Sequence, residues 1–278
     1  MADARDWAGD QGGKWANLVE TMDRQLAPAA APGVQALAPQ PGERIIDLGC
    51  GGGPTSLMLA EKVGAAGRVL GVDISPDLLG IARRRAEGVG HLAFAEADAG
   101  SHPFEAGGWD ALYSRFGCMF FDDPPAAMAN LRRALVPGGR AVLTVWAEPK
   151  RNPWAMLPAR AAAEVLGPAE KMAPGAPGPF GWCEPAIFEP ILAEAGFADV
   201  TFVEHQIEMQ IGMDGSPDPV TRAVDLACAI GPLASRLRET PEAEDQVRPI
   251  LAELMRPHLR DDAVWLPGVI RVIAARNP

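Results

Sequence analysis

Three glycines alternate along a short segment that separates two predicted elements of secondary structure. Gly49, Gly51 and Gly53 follow an apolar stretch and precede a stretch with helical spacing. Glycines let the backbone approach a ligand closely, and the first turn of a helix offers free N–H groups. Asp73 lies 24 residues beyond Gly49, where a carboxylate can accept hydrogen bonds from two ribose hydroxyls. The spacing therefore predicts an adenosine-containing ligand.

The glycine spacing also separates two classes of adenosine ligand. The dinucleotide fingerprint G-x-G-x-x-G would have its third glycine at position 54, which is Pro54. A proline in the first helical turn removes one N–H donor that a pyrophosphate needs. Pro54 therefore disfavours an NAD-dependent oxidoreductase, which is kept as an alternative.

Strands and helices alternate around this loop and must position it. Apolar segments predict strands at 44–48, 68–72, 91–95, 109–113, 140–146, 199–204 and 269–274. Helical spacing occupies the intervals after the first, second and fourth of these segments. This alternation is typical of a parallel sheet with helices on both faces, so we expect an α/β, doubly wound, mostly parallel seven-stranded sheet.

The remaining residues predict a cover for the sheet within one domain of residues 1–278. Residues 1–40 predict an N-terminal helical cap, and residues 147–183 and 205–263 predict insertions that form a substrate lid. Trp15 in the cap and Trp182 in a proline-rich segment suit an apolar or aromatic acceptor.

Composition excludes several classes of protein. The net charge of −11 makes nucleic acid an unexpected partner. The four cysteines form no CxxC pair, so neither a disulfide framework nor a metal site is expected. No signal peptide and no apolar run of the ~18–20 residues that span a bilayer is evident, which predicts a cytoplasmic protein.

Five motifs follow one another along the chain: IIDLGCGGG (45–53), VLGVDISPDLL (69–79), AEADAGSHPF (95–104), WDALYSRFGCMFF (109–121) and LRRALVPGGRAVLTVW (131–146). With these motifs in this order, the chain resembles the class I S-adenosylmethionine-dependent methyltransferases. The chain is most similar to the ubiquinone/menaquinone-biosynthesis-like group of small-molecule enzymes. The resemblance implies a Rossmann-like fold and the cofactor S-adenosyl-L-methionine, which becomes S-adenosyl-L-homocysteine. It also implies methyl transfer by in-line displacement to an oxygen, nitrogen or carbon atom.

The resemblance carries over to single residues at the adenosine end of the cofactor. The implied cofactor-binding residues are Asp47, Gly49, Cys50, Gly51, Gly53, Asp73, Ile74, Asp98, Ala99, Ser114 and Arg115. Asp73 would hold the ribose hydroxyls and Ile74 would pack on the adenine. Asp98 would accept from the adenine amine, and the Ala99 N–H would meet a ring nitrogen.

At the methionine end, Asp47 would support the loop and the amino group of the cofactor, with Ser114 and Arg115 nearby. The sequence identifies no catalytic residue, because displacement at a sulfonium needs a base only when the acceptor must lose a proton. His205, expected just after the sixth strand, is considered as a base, but a strand-end surface histidine is the favoured interpretation. A non-catalytic protein that binds the cofactor and serves a partner is a third hypothesis, and the sequence leaves the oligomeric state open.

Overall fold

Short apolar segments form the parallel half of a single sheet. The computed structural model describes residues 7–170 and 172–278. The first five strands are β1 (Arg44–Leu48), β2 (Arg68–Asp73), β3 (Leu92–Glu96), β4 (Trp109–Arg115) and β5 (Leu135–Trp146). They lie in the order β3-β2-β1-β4-β5, and every neighbouring pair is parallel. The predicted α/β sheet is confirmed, and its carboxyl ends bring the loops after β1, β2 and β4 to one edge.

Two long strands complete the sheet beyond β5. These are β6 (Ala198–Ile211) and β8 (Ala263–Arg276), and the two-residue β7 (Leu259–Arg260) pairs with β8. The described sheet therefore has eight strands instead of the expected seven, because β7 is too short to be recognised from an apolar pattern. β8 lies between β5 and β6 and is antiparallel to both. β6 continues seven residues beyond its expected end because Ile207, Met209 and Ile211 alternate inward and pair with β8. The segment expected as an insertion from residue 205 therefore begins as sheet.

Most helices begin at a proline, where the missing N–H costs no hydrogen bond. The helices are α1 (Asp10–Asn17), α2 (Val19–Leu26), α3 (Ala30–Leu37), α4 (Pro54–Val63), α5 (Pro76–Arg85), α6 (Pro124–Ala134), α7 (Pro153–Leu166), α8 (Pro185–Glu194), α9 (Pro219–Ala229), α10 (Pro232–Glu239) and α11 (Glu244–Met255). Ser75, Asp123 and Asp218 accept a backbone hydrogen bond at the starts of α5, α6 and α9. None of the helices in residues 7–170 and 172–278 is long and apolar enough to cross a membrane.

The expected N-terminal cap divides into a part that covers the sheet edge and a part that belongs to the core. In α3, a Cβ on Gly33 would lie 2.5 Å from Thr144 Oγ1 and 2.8 Å from Tyr113 Oη, so this helix packs directly on β4 and β5. In α1, a Cβ on Gly12 would lie 2.5 Å from Ser75 Oγ, so this helix packs on the start of α5. Outside the cap, α7, α9, α10 and α11 pack against one another.

Candidate active site

A cavity of about 320 Å³ lies at the carboxyl ends of the parallel strands, beneath α1 and α2. Eight of the eleven residues predicted for the cofactor line it: Gly49, Cys50, Gly51, Asp73, Ile74, Asp98, Ala99 and Arg115. The topology brings them together because the loops after β1, β2, β3 and β4 all end at this edge. This is where ligands bind in open α/β sheets.

The other three predicted residues lie behind the cavity wall. The Ser114 side chain is buried, and its Oγ donates to the Leu48 carbonyl at 3.0 Å, which joins β4 to β1. A Cβ on Gly53 would lie 3.0 Å from the Ala82 side chain, so this glycine permits packing of α5. Asp47 is fully buried beneath the loop. These residues shape the site without forming its surface.

The glycines of the loop have different physical roles. Gly49 has φ +65°, and a Cβ there would lie 2.7 Å from the Gly117 Cα. Gly51 has φ +54°, but a Cβ there would meet no atom closer than Leu78 Cδ1 at 4.0 Å. Gly49 is thus required by the packing of two backbone segments. Gly51 leaves open space beside the cavity, where a ligand can approach the backbone.

Asp73 organises the glycine loop through its carboxylate. Its Oδ2 accepts from the Gly51 N–H at 2.8 Å, and its Oδ1 accepts from the Ser75 N–H at 2.9 Å. Burial raises the pKa of Asp73, and these backbone hydrogen bonds oppose the shift. Each oxygen retains a second lone pair, so the same carboxylate can accept from ligand hydroxyls.

Asp98 and Ala99 form the turn after β3 that borders the cavity. The Asp98 carboxylate accepts from the Gly100 N–H at 2.8 Å and the Ser101 hydroxyl at 2.9 Å. The Ala99 carbonyl accepts from the Asn130 amide at 3.0 Å, which fixes the turn against α6. Asp98 therefore stabilises its own turn and also presents a carboxylate to the cavity.

Asp47 supports the loop from below. Its Oδ2 accepts from the hydroxyls of Thr55 at 2.8 Å and Ser56 at 2.6 Å, both in the first turn of α4. Burial raises the pKa of Asp47 from 3.8 to about 6, although these two hydrogen bonds and the Arg115 charge oppose the shift. A buried carboxylate of this kind opposes folding when it is ionised.

We expect the Asp47→Asn variant to gain stability relative to the wild type as pH rises. Because the pKa of Asp47 is higher in the folded than in the unfolded protein, the protonated carboxyl stabilises the wild-type fold below pH 3.8. This stabilisation is lost as the pH rises through about 6. From about pH 4 to about pH 7, the free energy of unfolding of the variant should gain about 2–3 kcal/mol on the wild type. Urea unfolding of the variant and the wild type at both pH values measures this difference in the free energy of unfolding. The exposed Glu61→Gln change on α4 is the control, and a pH-independent gap for Asp47→Asn contradicts the prediction.

An arginine fastens the cap to the glycine loop. Arg85 Nη1 donates to Asp23 Oδ2 at 2.6 Å and to the Gly52 carbonyl at 3.0 Å. Asp23 belongs to α2, so one guanidinium joins α2, α5 and the loop. This arrangement holds α2 beside the loop at the cavity.

Aromatic side chains form the opposite wall of the cavity. Phe116, which has φ +64°, stacks on Trp146 with ring centroids 4.4 Å apart. Trp154 lies 4.9 Å from Trp146 and 5.6 Å from Phe180. Trp146 and Trp154 are wall residues that the sequence did not predict. The position of Trp146 at the end of a predicted strand was the signal that could have identified it.

Two expectations about individual residues are wrong. Trp182 is 1% exposed and packs in the hydrophobic core instead of lining the cavity, whereas Trp15 does line it. His205 lies inside β6, paired with Ile270, and is not among the cavity residues. Among residues 7–170 and 172–278, no group of three or more His, Cys, Asp or Glu side chains is arranged for a metal ion.

Comparison with known proteins agrees with the geometry of the loop. Residues 45–139 match a family described as methyltransferase domain. Over 116 residues the chain is 40% identical to demethylmenaquinone methyltransferase of Thermus thermophilus, covering 41% of this chain and 52% of that protein. Over 184 residues it is 33% identical to nocamycin O-methyltransferase of Saccharothrix syringae, covering 62% of this chain and 65% of that protein. The chain thus spans between half and two thirds of the length of these relatives.

Similarity of fold extends over more of the chain than similarity of sequence. A solved structure described as a putative methyltransferase from Bacillus halodurans superposes with a TM-score of 0.55 at 18% identity. The match covers 90% of this chain and 98% of that one, so the shared fold includes the strands beyond β5.

Proposed function

We propose that this chain is a class I S-adenosylmethionine-dependent methyltransferase that transfers a methyl group to an oxygen, nitrogen or carbon atom of a small apolar or aromatic molecule. One observation carries the proposal: a single cavity brings the Gly49–Gly51 loop, Asp73 and the Asp98-Ala99 turn together beside an aromatic wall. The match of residues 45–139 to a methyltransferase domain supports it.

The cavity residues fit the cofactor S-adenosyl-L-methionine. The open space at Gly51 admits close approach to the backbone, and Asp73 retains lone pairs for ribose hydroxyls. Ile74 and the buried Ala99 offer apolar contact for a flat ring, and Asp98 offers an acceptor for an amine. The volume of about 320 Å³ is within the usual range of ligand pockets, about 300–1,000 Å³. When bound, the cofactor supplies a methyl group already activated by a sulfonium.

The protein contributes alignment and exclusion of water. Arg85 and Asp23 hold α2 over the loop. The aromatic wall of Phe116, Trp146 and Trp154 restricts the orientation of an acceptor. These effects serve a displacement reaction, in which positioning alone lowers the barrier substantially. No histidine lines the cavity among the described residues, so no base is assigned.

The same cavity supports an apolar acceptor held beneath a helical lid. Leu226 of α9, Leu233 of α10 and Met255 of α11 contribute to the wall, which supports the insertions as the lid. The names of the two relatives refer to a quinone precursor and to nocamycin, both small molecules. The acidic net charge disfavours nucleic acid as the acceptor. The four free cysteines favour a reducing compartment such as the cytoplasm.

Calorimetry and product release test the proposed function. We expect S-adenosyl-L-homocysteine to bind and NAD to show no measurable binding, because Pro54 is at the first position of α4. Binding of NAD without S-adenosyl-L-homocysteine contradicts the proposal. Candidate phenols, quinols and amines are then screened for release of S-adenosyl-L-homocysteine from the methyl donor. Cofactor binding with no turnover across the panel favours the non-catalytic hypothesis.

A further inference from the structure

One buried amide at the cavity has an oxygen without a hydrogen-bond partner. Gln25, in the last turn of α2, is 7% exposed and lines the cavity. Its Oε1 has no partner among the residues that the structure describes. An unsatisfied buried amide oxygen destabilises the fold, so a group that fills the cavity and donates a hydrogen bond to this oxygen recovers the lost energy.

The position of Gln25 places it away from the adenosine side of the cavity. Asp23, two residues before Gln25 and therefore on nearly the opposite face of α2, bonds to Arg85 of α5, near the loop after β1. At the end of α2, the Leu26 carbonyl accepts from Arg115 Nη1 at 3.3 Å, at the end of β4. α2 also packs against β6, at the opposite edge of the sheet from β2 and β3, which are followed by Ile74 and Asp98. Gln25 thus lies on the side where an acceptor would reach the transferred group.

We propose that Gln25 binds the methyl acceptor by accepting a hydrogen bond from a hydroxyl or amine hydrogen. This rests on the proposed function, because it assigns the acceptor to the part of the cavity that the cofactor leaves free. The surrounding wall is apolar, formed by residues such as Leu26, Phe116 and Trp146. In such a wall, one amide selects strongly against ligands that lack the donor, because its oxygen then remains unpaired.

A pair of probes that differ by one donor tests this assignment. Binding of 2-naphthol and of 2-methylnaphthalene is measured by calorimetry with the protein saturated with S-adenosyl-L-homocysteine. We expect the wild type to bind 2-naphthol about 10-fold more tightly than 2-methylnaphthalene. Gln25→Met keeps a similar volume without the amide and should bring the two affinities within about twofold. Gln25→Leu also removes the amide, so it should likewise reduce the preference for 2-naphthol.

The control is Gln35→Met, an exposed position on α3 that should keep the wild-type preference. An unchanged preference in both Gln25 variants, or no preference in the wild type, overturns the assignment. Loss of S-adenosyl-L-homocysteine affinity in the Gln25 variants also overturns it, because Gln25 would then bind the cofactor. Failure of the wild type to bind S-adenosyl-L-homocysteine is a different result, which rejects the proposed function itself.

Discussion

The Asp73→Ala variant is expected to raise the Kd for S-adenosyl-L-homocysteine by about 100-fold or more, which is about 3 kcal/mol. Two losses combine. The carboxylate can no longer accept from ribose hydroxyls, and hydrogen bonds to a charged group contribute about 1.5–3 kcal/mol. The Gly51 and Ser75 N–H groups also lose their acceptor, so the loop that approaches the ligand is no longer held. Calorimetry with S-adenosyl-L-homocysteine measures the effect.

Glu96→Ala is the matched control for this change. Glu96 is in register with Asp73 on the neighbouring strand β3, but it is exposed and absent from the cavity wall. We expect the control to keep wild-type affinity. If Asp73→Ala remains folded and binds within about threefold of the wild type, then Asp73 is not in the cofactor site. Thermal unfolding of both variants separates loss of binding from loss of the fold.

The features that sequence analysis predicted correctly are local. The pattern of a strand, glycines and a helix involves only residues that are adjacent in sequence, so β1, the loop and α4 could be located without the structure. Asp73 could be located because β2 ends at it and parallel neighbours end at the same edge. The core of the candidate site therefore follows from short-range patterns combined with one topological rule.

The parts that were missed depend on contacts between distant segments. Trp154 and Trp182 both lie in the segment after β5, and nothing in their spacing shows which one faces the cavity. The structure places Trp154 against Trp146, whereas Trp182 packs in the core. The length of β6 was underestimated for the same reason, since Ile207 to Ile211 remains a strand only because β8 pairs with it. Side-chain packing and pairing of this kind require the complete fold.

The glycine loop allows the demands of folding and of binding to be separated with two similar variants. Gly49→Ala is expected to lower the free energy of unfolding by about 3–5 kcal/mol, since strain at a positive φ adds to overpacking against backbone. Gly49 has φ +65°, and its added Cβ would lie 2.7 Å from the Gly117 Cα. Gly117 is itself tightly packed, because a Cβ added to it would lie 2.7 Å from the Leu48 carbonyl oxygen. Urea unfolding measures the difference.

Gly51→Ala is the matched variant, because φ at this residue is +54° and the backbone strain is similar. Its Cβ meets no protein atom within less than 4.0 Å, so we expect only the strain of about 1–2 kcal/mol. Ligand binding, unlike stability, should be strongly affected by Gly51→Ala, because the new methyl group occupies space that the ligand needs. The variant should therefore remain folded but bind S-adenosyl-L-homocysteine more weakly. Equal destabilisation by the two alanines contradicts the role of Gly49 in packing. Unchanged affinity in Gly51→Ala contradicts the close approach of a ligand to the loop, because that approach is the only reason the structure gives for the open space at Gly51.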